Sequence, residues 1–138
     1  AKRRLLNIII RLDDEEFFEE HGSLNLETAS QDQILDYFLK TGLFPHIRLR
    51  PFNFVADPKC LPRDIFVNAC ETRPYLPSMS VQVQHEMKAF QKGLDTLQKL
   101  TKGAVHLVCR SKEKGSLSTL VDRVEKHIAV GPHPSGTT

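Results

Sequence analysis

Asp64-Ile65-Phe66-Val67-Asn68-Ala69-Cys70 and Ala104-Val105-His106-Leu107-Val108-Cys109-Arg110 are two short apolar runs. Between them, from about Ser80 to Lys102, the residues Val83, Met87, Phe90, Leu94 and Leu97 recur at intervals of four and three. Runs of that length and composition read as buried strands. The spacing between them makes one apolar stripe on a helix. Strand, helix, strand is a βαβ unit, which predicts parallel strands and a right-handed crossover. Glu71 to Ser80, with Pro74 and Pro77, reads as the loop into the helix, and Gly103 as the residue that ends it. Burying each large side chain of the stripe contributes roughly 1.5–3 kcal/mol. Met87 and Phe90 are therefore read as core, with no functional role.

Upstream, Arg4 to Leu12 carries Leu5, Leu6, Ile8, Ile9 and Ile10 and reads as a strand covered on both faces. It ends at Asp13, Asp14, Glu15 and Glu16, a solvated acidic surface, and Glu15 to Glu20 reads as a short helix or a loop. Ser30 to Thr41 is a helix: Ser30 and Gln33 have capping-box spacing, Ile34, Leu35, Phe38 and Leu39 form a stripe, and Gly42 is a left-handed stop. Pro45, Pro51, Pro58 and Pro62 make Leu43 to Pro62 an extended, ordered surface loop, because proline can neither continue a helix nor donate to a central ladder. Downstream, Ser111 to Ser116 is polar, Leu117 to Val121 a short helix, and Arg123 to Val130 a final strand leading into Gly131-Pro132-His133-Pro134-Ser135-Gly136. The reading is one domain over 1–136, with 137–138 as a tail.

The 138 residues are enough to bury a core without staples. A net charge of +2 is too small for the clustered basic face of a nucleic-acid binder. Cys60, Cys70 and Cys109 are odd in number and have no CxxC spacing, so they read as free, mostly buried thiols in a reducing compartment. No stretch approaches the roughly 20 apolar residues of a membrane span, and no signal peptide is evident.

A dinucleotide site needs glycines so that backbone N–H groups can approach the pyrophosphate. The loop after Cys70 is Glu71-Thr72-Arg73-Pro74-Tyr75, without glycine, and neither GxGxxG nor GxxxxGK[ST] occurs. There is no HExxH, no GxSxG and no histidine pair at i, i+4. His106, within an apolar strand, reads as a hydrogen-bonded core or edge residue, and His85 as lying on the outer side of the long helix. His133, between two prolines, lies past a strand's carboxyl end, where open α/β sheets place ligands; packing against a neighbouring domain is the plainer reading. Arg48 and Arg50 alternate in an extended segment, which predicts two guanidinium groups on one side that could grip a carboxylate, a phosphate or an acidic partner. Local pairing with the protein's own acids is the simpler alternative. Arg48, Arg50 and His133 are thus the candidate partner or ligand contacts, and no residue is assigned to catalysis or to a metal.

Four stretches together resemble a known family. Gly42-Leu43-Phe44 with Arg48-Leu49-Arg50-Pro51-Phe52 resembles the "GLW…RTRPF" segment of the A subunit of the sodium-translocating NADH:quinone oxidoreductase. Ile65-Phe66-Val67 with Ala69, Thr72 and Pro74 resembles its "IFVTAMDTNP" stretch, although Glu71, Arg73 and Tyr75 depart from it. Ala89-Phe90-Gln91, Gly93-Leu94, Leu97, Leu100-Thr101, Gly103, Val105 and Cys109 resemble "AFxxGLxxLxxLTDGKVxVC", and Gly131 to Gly136 resembles "GPHPAG". The matches keep the family's order from about Gly42 to Gly136.

The resemblance implies a Rossmann-like three-layer α/β domain with a mostly parallel sheet, akin to the flavin domain of the NADH-oxidising subunit of complex I but without its flavin and iron–sulfur sites. It implies a middle domain of a longer polypeptide, peripheral on the cytoplasmic side of the bacterial inner membrane. It also implies a complex that oxidises NADH, reduces ubiquinone and exports sodium. The expected partners are the other subunits, with ubiquinone as a further ligand. NADH, flavins and ubiquinone belong to the whole complex, and no cofactor is expected in this chain. Two other readings stand beside this one. A self-standing nucleotide- or flavin-dependent oxidoreductase would require a phosphate site. The related C subunit with iron–sulfur centres would require a ferredoxin-type cysteine run.

Overall fold

The computed structural model describes residues 6–12, 14–110, 117 and 121–135. Chain order is α1 (Gln31–Lys40), one 3-10 turn (Phe44–His46), β1 (Arg48–Leu49), β2 (Phe54–Val55), β3 (Ile65–Ala69), α2 (Met79–Val83), α3 (Met87–Lys99), β4 (Val105–Arg110) and β5 (Glu125–Ala129). The fold class is α/β.

The expected βαβ unit is present. β3 pairs parallel with β4 from Ile65↔Val105 to Ala69↔Cys109, and β4 pairs parallel with β5 from His106↔Glu125 to Arg110↔Ala129. β4 is central, and its side chains alternate strictly between buried and half-buried. Val105, Leu107 and Cys109 point into the core with Ile65 and Ala69 from β3, against Leu94 from α3, its C-cap Leu100, and Ile34 from α1. Leu117 and Val121 complete that cluster. Of the expected short helix Leu117–Val121, Leu117 is helical and Val121 is not, and residues 118–120 lie outside the described residues. The opposite face carries Phe66, Asn68, His106, Val108, Glu125 and His127, and among the described residues no helix covers it.

Caps behave as the sequence implies. Ser30 Oγ accepts from the Gln33 amide at 3.3 Å, and Gln33 Oε1 accepts from the Ser30 amide at 2.9 Å. Gly42 adopts φ 74°. The Leu43 amide then reaches Phe38 O at 3.0 Å and the Gly42 amide reaches Leu39 O at 3.4 Å, the Schellman arrangement.

Three expectations are corrected. Residues 6–12 form no strand; Ile9 is 92% exposed and its neighbours are similarly bare. Aliphatic composition favours a strand only where a partner edge satisfies the backbone, and β3, β4 and β5 pair with one another instead. The Ser80–Lys102 helix is two helices, broken at Gln84–Glu86, where the Glu86 amide reaches back only three residues, to Val83 O at 2.9 Å. Met79 and Val83 still pack on the same core as Met87 and Phe90. Gly103 does not end the helix, whose C-cap is Leu100. Its role is close approach: a Cβ there would collide with Arg63 O and Asp64 Oδ1. The neighbouring Thr101 hydroxyl lies 2.7 Å from Arg63 O and 3.0 Å from Pro62 O and accepts from the Gly103 amide at 3.2 Å. The Leu100-Thr101-x-Gly103 pattern is thus the joint between helix end and strand start.

The Leu43–Pro62 segment is largely irregular, as its prolines require, with one small addition. β1 and β2 form an antiparallel pair, Arg48↔Val55 and Leu49↔Phe54, closed by Asn53 at φ 56°. Elsewhere, Lys99 in the last turn of α3 donates to Leu26 O at 2.6 Å and Glu27 O at 3.2 Å, tying the segment before α1 to the helix layer. Gln91 pairs both ways with the Asp122 backbone, at 2.9 and 3.1 Å, anchoring the approach to β5.

Candidate functional site

β3 and β5 run parallel, so both deliver their carboxyl ends to the same rim of the sheet, where open α/β folds bind ligands. A crevice of about 410 Å³ lies there, lined by Asn68, Cys70, Glu71, Arg73, Met79 and His133. Such a volume sits at the small end of the range for small-molecule sites. His133 enters from the turn after β5, which the Ser135 amide and hydroxyl tie to Pro132 O and Val130 O at 2.8 and 3.0 Å. Its Nδ1 lies 2.9 Å from the Thr72 hydroxyl. The two conspicuous loops, Glu71–Pro74 and Gly131–Ser135, are thereby latched across the crevice.

The charge in this crevice is already matched. Arg73 donates to Glu71 from Nε at 2.9 Å, from its terminal nitrogen at 2.7 Å and from its backbone amide at 2.9 Å. The Arg73 side-chain hydrogen bonds, followed by its amide, hold the Glu71 carboxyl down at about 2, so it stays ionised at neutral pH. Arg110 Nη1 approaches the Glu71 carbonyl at 3.4 Å. A phosphate entering this crevice would have to displace a bidentate carboxylate from its arginine. The rest of the lining is mixed: Met79 and Cys70 with Asn68 and His133.

The expected contacts do not converge. His133 lines the crevice, and neither arginine does. Arg48 lies in β1, where Nη1 donates to Asn53 O at 3.3 Å. The strand stops at Leu49 and Arg50 is in the turn, so the alternation that put both guanidinium groups on one side does not reach Arg50. Around them Phe52 and Phe54 stack with centroids 6.2 Å apart, and both are exposed. Cys70 and Cys109 are buried and Cys60 is exposed; none of the three forms a disulfide.

Sequence reasoning missed one further constellation. His106 is hydrogen-bonded, as expected of a residue in an apolar strand, but its partner is His127 Nε2 at 2.9 Å, and Glu125 Oε2 stands 3.1 Å from the same nitrogen, both residues being on β5. Motif spacing could not reveal this, because the residues come from two strands and only the β4–β5 register sets them side by side. Glu125 and His127 at i, i+2 on one strand was the available signal.

Among the described residues no helix is long and apolar enough to cross a membrane. A family model described as "NqrA second alpha/beta domain" matches residues 29–138. The chain is similar to the A subunit of the Na(+)-translocating NADH-quinone reductase of Pseudomonas aeruginosa strain UCBPP-PA14, with 33% identity over 98% of this chain and 30% of the relative. The Pasteurella multocida protein of the same name is 32% identical over 99% of this chain and 31% of its own length. That of Histophilus somni is 29% identical over 99% and 31%. The chain therefore spans about 30% of the length of the curated relatives it matches. With the parallel β3–β4–β5 sheet and the family match over residues 29–138, the chain belongs to the family of the NqrA second α/β domain.

Proposed function

We propose that this chain serves as a domain of the A subunit in a sodium-translocating NADH:quinone reductase, a complex that couples NADH oxidation and ubiquinone reduction to sodium export. The observation that carries the proposal is similarity along nearly the whole chain to proteins of that name. The domain contributes to an enzyme without being catalytic alone. It is one α/β unit through residue 136 with 137–138 as a tail, peripheral on the cytoplasmic side of the bacterial inner membrane, and its partners are the other subunits. The parallel β3–α3–β4 unit extended by β5 supports a Rossmann-like three-layer architecture akin to the complex I flavin domain.

Its role is structural or quinone-associated, with no flavin of its own. The glycine-free Glu71–Tyr75 loop and the engaged Glu71–Arg73 pair favour a neutral, partly apolar group in the crevice over a phosphate. The β1–β2 hairpin, with Arg48, Arg50, Phe52 and Phe54 exposed, has the aromatic and arginine content of an interface core, and with His133 it supplies the contacts to partners.

Deleting residues 29–138 from a full-length NqrA polypeptide should abolish its co-purification with the other subunits and the NADH:quinone activity of the membrane. Retention of both would refute the proposal.

A further inference from the structure

On the open face of the sheet, the β4–β5 register places His106 beside Glu125, with His127 two residues on along the same face of β5. One ligand atom from each of the three lies within 4.8 Å of the other two. His106 Nδ1 is 2.9 Å from His127 Nε2 and 3.1 Å from Glu125 Oε2, so all three groups aim at one point above the strands. We propose that His106, Glu125 and His127 form a binding site for a divalent transition-metal cation of the zinc type.

The donor set selects the class of ion. Two imidazoles and one carboxylate suit zinc, cobalt or ferrous iron, whereas sodium, magnesium and calcium favour all-oxygen shells. The groups project from two hydrogen-bonded strands, so the backbone holds their spacing without help from a loop. The surroundings of His106 match those of a ligating histidine. Its other nitrogen, Nε2, faces Asp64 Oδ1 at 3.8 Å, beyond hydrogen-bond distance but near enough for the carboxylate's charge to favour a bound cation. The Ala104 amide holds Asp64 in place at 3.2 Å and, with Arg63, keeps it ionised. The Phe66 ring stacks on the His106 imidazole, centroids 4.6 Å apart and planes 14° from parallel, which prevents the ligand ring from swinging away. Three protein ligands leave a fourth position for water or for a donor from another chain.

The test uses the untagged full chain, titrated with Zn²⁺ by calorimetry and with Co²⁺ by visible absorption. One equivalent of either ion should saturate the site, and Co²⁺ should develop the intense ligand-field bands of a low-symmetry nitrogen–oxygen site. His127→Ala, which alters an exposed side chain and leaves the core intact, should abolish those bands and weaken Zn²⁺ binding more than ~10-fold. Asp64→Asn should keep the stoichiometry and weaken binding less than His127→Ala does, because it removes only a nearby charge. His85→Ala should change nothing. Absence of binding by the wild-type chain, or unchanged binding by a folded His127→Ala variant, would overturn the proposal.

Discussion

The two faces of the three-stranded sheet share their backbone and differ in everything else. On one, Val105, Leu107 and Cys109 pack into a dry cluster with Ile34, Leu94 and Leu100, and Leu107 is 0% exposed. On the other, one residue further along each strand, Phe66 is 64% exposed and His106, Glu125 and His127 gather their polar atoms. Because side chains alternate along a strand, a single strand supplies stability with one set of residues and chemistry with the other. The covered face should be sensitive to changes of volume, and the open face should be sensitive only to changes of donor atoms.

Leu107→Ala should break the covered face most severely, costing about 2–5 kcal/mol as a cavity opens at the centre of the sheet; denaturant unfolding measures it. Gly103→Ala should follow at roughly 1–3 kcal/mol, since the added methyl must push against Arg63 O and Asp64. At the rim, Glu71 contributes through its pairing with Arg73. Its carboxyl is depressed from 4.5 to about 2, so the contribution is complete above pH 4.5 and is lost as pH falls toward 2. Glu71→Gln should therefore remove that contribution at neutral pH, flatten the acid limb between those values and leave stability near pH 2 nearly unchanged, as denaturant unfolding across that pH range would show. His127→Ala should have the smallest effect, within about 0.5 kcal/mol in metal-free buffer. A large loss there would mean that the open face is core after all.

How far the sequence could be read follows the same division. The β3–α3–β4 frame was legible because each apolar run found a partner, and the Ser30 capping box and Gly42 stop were legible because they depend only on local chemistry. The Leu6–Leu12 run is as rich in aliphatic residues as β3 yet lies exposed, since composition says nothing of whether an edge is free to pair. The break at Gln84–Glu86 was invisible because neither proline nor glycine marks it and the apolar spacing suits both halves. His133 was placed at the crevice by its position after a strand, whereas the engagement of Arg73 by Glu71 depends on side-chain geometry that spacing does not encode. The His106–Glu125–His127 group is a product of strand register, and register appears only once β4 and β5 are side by side.

The account rests most on a strand-tip crevice whose one arginine is already engaged by a carboxylate. Calorimetric titration of the chain with FMN and with NADH tests this directly. No saturable heat from either ligand at micromolar concentrations is the expected result. One-to-one micromolar binding of either, abolished by Arg73→Ala, would contradict it.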